Sequence, residues 1–160
     1  MTDDTHAGAP DLRAGPPRRW NVTVDGVIWL PRMIDKARAY LAGTLGLYLY
    51  GQSPIDAAVL RAAQLDHAQF LVAVRAAPDD GAVLAALERE APGATERLQG
   101  FSRRPPLGAR LWFAALDFDD GYIAVPASSR WRAVSPLFFR PLAAMLRRAF
   151  PLKPESEAGG

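Results

Sequence analysis

Between residues 30 and 106 the chain carries start and stop signals so often that no regular element can run much beyond about fifteen residues. Leu30-Pro31 opens the first segment, with proline at the first helical position, where its missing N–H does no harm. Ser53-Pro54-Ile55-Asp56 gives the second an N-cap, a proline and a first-turn acid; this helix should run through Ala63. Asp66 and Gln69 are spaced as a capping box for a third, His67 to Ala76. Asp79 or Asp80 caps a fourth, which Pro92-Gly93 breaks before a fifth from about Thr95 to Arg103. Short capped helices must bury their apolar stripes against one another. The expected fold is therefore mainly α, a compact bundle of about five to seven short helices with little or no sheet.

The first helix, Leu30 to about Thr44, has the clearest two-sided pattern. Leu30, Met33, Ile34, Ala37, Tyr40 and Leu41 share one face, and Arg32, Asp35, Lys36, Ala39 and Gly43 fall opposite. Two stretches are β-prone: Val22-Thr23-Val24, followed by an Asp25-Gly26 turn signal, and Leu47-Tyr48-Leu49-Tyr50, closed by Gly51. Leu107 to Phe118 reads as a helix, apolar nearly all round apart from Arg110 and Asp117. It also reads as a strand paired through Asp120-Gly121 with Tyr122-Ile123-Ala124-Val125. Periodicity favours the helix. The last apolar element, Ser135 to Phe150, is interrupted by Pro141; its Leu142, Leu146 and Phe150 are expected to pack inward.

These boundaries imply a flexible leader over 1–15, a single helical domain over 16–153 and a flexible tail over 154–160. The chain has no cysteine, so disulfides, thiolate metal sites and cysteine nucleophiles are excluded. The start lacks the apolar core of a signal peptide, and no stretch approaches the ~18 apolar residues of a membrane span. A cytoplasmic location is expected. The formal charge of +2 divides unevenly, because residues 101–153 hold nine basic residues against three acidic ones. Of the nineteen basic residues seventeen are arginine, and with the alanine richness this points first to a GC-rich coding genome.

Two clusters qualify as candidate sites. Arg18, Arg19, Arg32, Asp35 and Lys36 could form an anion pocket, with guanidinium forks binding carboxylate or phosphate and Asp35 orienting one of them. The alternative is a solvated helix face with Arg32–Asp35 and Asp35–Arg38 pairs. Asp117, Asp119 and Asp120 form a candidate acidic cluster that begins like a calcium loop but lacks the closing glutamate; as an alternative they cap a helix or form a turn. His67 and His6 are too few for an ordinary zinc site, and no metal is predicted. No catalytic, nucleotide or dinucleotide motif is present, so no cofactor is predicted and catalytic residues are unknown. The Arg- and Phe-rich stretch from Arg103 to Phe150 could meet nucleic acid or a membrane surface, or its apolar side could complete the core.

Four blocks carry a resemblance: Asp11-Leu12-Arg13 with Gly15-Pro16-Pro17-Arg18; Trp29 to Arg38; Leu41-Ala42-Gly43-Thr44 with Gly46 and Tyr48; and Trp112-Phe113 with Leu116-Asp117, Asp119-Asp120 and Tyr122. Over residues 11–122 the chain resembles a bacterial family catalogued only as a domain of unknown function, leaving 123–153 as an extension. The resemblance implies a helical fold, which supports a helix over Leu107–Phe118, and it assigns no chemistry. The residues favour a domain that binds a partner protein or a small anionic ligand. The alternatives are an enzyme using an Asp/Arg/Lys cluster on an anionic metabolite, and nucleic-acid or membrane-surface association through the C-terminal segment.

Overall fold

The computed structural model describes residues 8–51 and 53–120. Among them are six helices and one small antiparallel hairpin, a mainly α fold as the capping signals require. The hairpin pairs β1 (Thr23–Val24) with β2 (Val27–Ile28), with Val24 opposite Val27. Its two turn residues, Asp25 and Gly26, have φ of 47° and 74°, the left-handed values that a two-residue turn between twisted strands demands. The sequence supplied the turn; the second strand follows from it.

The helices are α1 (Leu30–Leu41), α2 (Pro54–Ala63), α3 (His67–Ala76), α4 (Asp80–Glu90), α5 (Ala94–Arg103) and α6 (Leu107–Asp119). Their starts follow the caps. Ser53 accepts from the Asp56 N–H, Asp66 and Gln69 form the reciprocal capping box, and Asp79 accepts from the Ala82 N–H. Leu107–Phe118 is helical, so the strand alternative is overturned there. The run Leu47–Tyr50 forms no strand. Among the described residues no strand pairs with it, and its tyrosines serve side-chain contacts instead.

Helix α1 is the centre of the fold, packing on α3 and the hairpin, while α2 lies against α5 and α3 against α4. Nine of its twelve residues are buried, including Arg32, Asp35, Lys36 and Ala39 from the side opposite its apolar stripe. The solvated-face expectation is thereby corrected: other elements cover both sides of this helix. The core joins Val27, Trp29, Leu30, Met33 and Ile34 to Val59, Phe70, Val83, Leu87, Leu98 and Phe113. Leu12, from the stretch expected as leader, is buried, and its N–H donates to the Thr44 carbonyl. Gly46 lets it approach, because a Cβ there would stand 3.0 Å from the Leu12 oxygen.

Two side chains tie helix ends together. Glu88 accepts from the N–H groups of Gly93 and Thr95 at the start of α5. Arg97 donates to the carbonyls of Ala62 and Ala63, the last of α2. The expectations for His6, for Tyr122–Val125 and for everything from Arg130 through Ser135–Phe150 to the tail lie outside the described residues.

Candidate functional site

Trp29 stands at the junction of hairpin and helix. Its φ of 68° puts a bulky residue in the left-handed region, a local strain of about 1–3 kcal/mol. That geometry turns the chain from β2 into α1 and sends the indole inward, where it is 1 % exposed. Its Nε1 donates to Asp56 Oδ1 at 2.8 Å, and Lys36 Nζ reaches the same carboxylate at 2.6 and 2.8 Å. The Lys36 Nζ and the Arg32 guanidinium lie 5.4 and 5.5 Å from the Trp29 ring centroid, within cation–π range. Asp56 is fully buried, and the Lys36 side chain is 4 % exposed. Burial pushes the lysine pKa below its ordinary value, against the opposing pull of Asp56.

Around this pair the candidate cations and candidate acids prove to be one another's partners. Arg19 forks onto Asp117, with Nε–Oδ1 at 2.8 Å and Nη2–Oδ2 at 2.6 Å. Arg32 meets Asp120 at 2.7 Å and also donates to the carbonyls of Pro17 and Arg18. Tyr48 Oη donates to the other Asp120 oxygen at 3.0 Å. Arg18 grips Asp35 through its backbone N–H, Nε and Nη2, and reaches Asp80 at the start of α4. Arg38 contacts Asp80 as well, at 3.4 Å. Asp35 thus pairs with Arg18 rather than with Arg32 or Arg38 on its own helix. The Asp119 side chain lies outside the described ones.

Arg18, Arg19, Arg32, Lys36 and Arg38 therefore face Asp35, Asp56, Asp80, Asp117 and Asp120, and the formal charge of the cluster is zero. Arg19 holds the Asp117 carboxyl below its usual range. Burial opposes the charge of Arg18, yet Asp35 and Asp80 outweigh it and raise its pKa. Among the described residues no three of His, Asp and Glu converge as metal ligands would. The sequence reading missed Asp56, Asp80, Arg38, Tyr48 and Trp29 as members of this network. Asp56 and Asp80 look like ordinary first-turn acids, and nothing in their spacing reveals a cation from a distant helix.

His67 sits half-buried at the start of α3, its ring edge-on to Tyr50 with centroids 5.9 Å apart. Its Nδ1 is buried with no hydrogen bond of good geometry among the described residues. Burial lowers its pKa from the ordinary 6.5; Asp56, Asp66 and the Gly51 backbone oppose the shift, and Lys36 adds to it. The folded state thus binds this proton less readily than the unfolded chain. The contribution is fully present above the unfolded pKa and is lost as pH falls below it toward the folded one. Melting temperature should drop as pH falls from about 7 through the lowered folded-state pKa, and His67→Gln should flatten that part of the profile. An unchanged slope in the variant would assign the loss to other groups.

The family model described as Domain of unknown function (DUF5069) matches residues 14–104. This is narrower than the 11–122 span of the resemblance; it takes in Trp29–Arg38 and leaves out Asp11–Arg13 and Trp112–Tyr122. No curated protein matches the chain.

Proposed function

The chain belongs to the family described as Domain of unknown function (DUF5069), and on that premise we propose that it is a non-catalytic, protein-binding domain whose charged centre is shaped to hold protein carboxylates, those of its own aspartates in the closed fold. The observation that carries this reading is the matching of every candidate cation to an aspartate. A pocket for a small metabolite anion keeps its cations unneutralised until the ligand arrives, whereas Arg32 and Lys36 already spend their donors on Asp120 and Asp56. Catalysis by Lys36 and Asp56 would require a solute to reach groups that are 4 % and 0 % exposed. We read the domain as bacterial and cytoplasmic. The arginine-for-lysine bias, which points to a GC-rich coding genome, supports the first; among the described residues no helix is long and apolar enough to cross a membrane.

A thermal-shift screen against phosphates, di- and tricarboxylates, nucleotides and divalent metals tests the reading, because a native-state binder raises the melting temperature by mass action. The expected result is no saturable rise. A saturable rise that disappears in Arg32→Ala or Lys36→Ala, with both variants still folded, would instead establish a small-anion binding site.

A further inference from the structure

The partners of Arg19 and Arg32 share one helix. Phe113, Asp117 and Asp120 are spaced four and three apart, which places them on one side of α6 and its final turn, where the Asp120 N–H still donates to the Leu116 carbonyl. Phe113 stacks on Trp20 at 4.5 Å and on Trp29 at 5.3 Å, while Asp117 takes the Arg19 fork and Asp120 takes Arg32 and Tyr48. The receiving residues come from the segment before the hairpin, from the start of α1 and from the loop after it. All of them fall within the matched span 14–104, and α6 begins beyond it. Only Pro105-Pro106 lies between the two, and Leu107 at the start of α6 is 71 % exposed.

We propose that Arg19, Trp20, Trp29, Arg32 and Tyr48 form a receptor groove for an acidic amphipathic helix of another protein carrying an aromatic residue followed, four and seven positions on, by two carboxylates. Helix α6 is its built-in competitor. The inference rests on the protein-binding reading above and names the partner's chemistry. An aromatic anchor between two indoles supplies apolar contact, and two charge-assisted pairs set the helix's register and direction. A partner helix of this pattern displaces α6 by forming the same contacts, so α6 sets the threshold affinity that a partner must exceed.

The test uses the full chain and a fluorescein-labelled peptide of residues 106–120, read by anisotropy. In the Asp117→Arg chain, α6 faces Arg19 with like charge, so the groove is vacated and the peptide should bind saturably. The wild-type chain, its groove filled, should bind about ten-fold or more weakly. An Arg19→Glu chain should reject the peptide but accept one carrying Asp117→Arg. Should Asp117→Arg not fold, the Asp117→Asn chain, which loses charge without changing shape, takes its place. Absence of saturable binding, or binding that ignores the charge at residue 19, would overturn the proposal. So would an Asp117-dependent dimer of the wild-type chain, which would make a second copy's α6 the occupant. A failed peptide titration beside a silent small-molecule screen removes this groove and leaves the protein-binding reading standing; a positive screen removes both.

Discussion

Replacing Asp56 by alanine is expected to destabilise the fold by about 3–5 kcal/mol, because it strands a buried ammonium with no counter-charge. Lys36 Nζ is 2.6 Å from this carboxylate, and the Trp29 indole N–H loses its acceptor in the same step. Against a typical domain stability of about 5–15 kcal/mol, the loss is large enough to unfold much of the population. Urea denaturation gives the measurement. Asp56→Asn keeps an oxygen for Trp29 but not the charge, so it should recover only part of the loss. The double replacement Asp56→Leu with Lys36→Met removes both charges and should lie much closer to wild type than either single change. A single Asp56→Ala variant within about 0.5 kcal/mol of wild type would mean that the pair is not buried as described.

Arg32→Ala should cost a comparable amount, about 3–5 kcal/mol, for a related reason. Asp120, whose side chain is 2 % exposed, would lose its cation, and the carbonyls of Pro17 and Arg18 would lose a donor. Arg32→Lys keeps the charge but, with a shorter side chain, cannot carry it to the place where Nη1 meets Asp120 and both carbonyls, so it should restore only a fraction. Tyr48→Phe removes a single neutral donor from the same carboxylate and should cost about 1.5–3 kcal/mol, less than loss of the arginine. If Arg32→Ala proved no worse than Tyr48→Phe, the arginine would not be the main support of Asp120.

Both effects arise on α1, where the sequence pattern and the fold part company. Arg32, Asp35 and Lys36 occupy the side opposite Leu30, Met33 and Ile34, and such a stripe ordinarily meets water. Here it meets α2, α6 and the segment before the hairpin, so each charge needed a partner and found one far along the chain. Lys36 and Asp56 are twenty residues apart, and Arg19 and Asp117 ninety-eight. The candidate anion pocket and the candidate acidic cluster are legible as residues in the sequence. Their mutual neutralisation is not.

The sequence by itself determined where the helices begin and where most of them end. Ser53, Asp66 with Gln69 and Asp79 act through backbone N–H groups within a few residues of themselves, and Pro92-Gly93 through a missing N–H and a left-handed glycine, so their effect is local and survives any packing. The Asp25-Gly26 turn belongs with them, since left-handed φ values are a property of those two residues. Tertiary structure alone decided that α1 is buried on both sides, that Trp29 adopts a left-handed φ, and that the cations of one cluster hold the acids of the other. These depend on which surfaces meet, and a buried charge is tolerated only where an opposite charge from another element is brought to it.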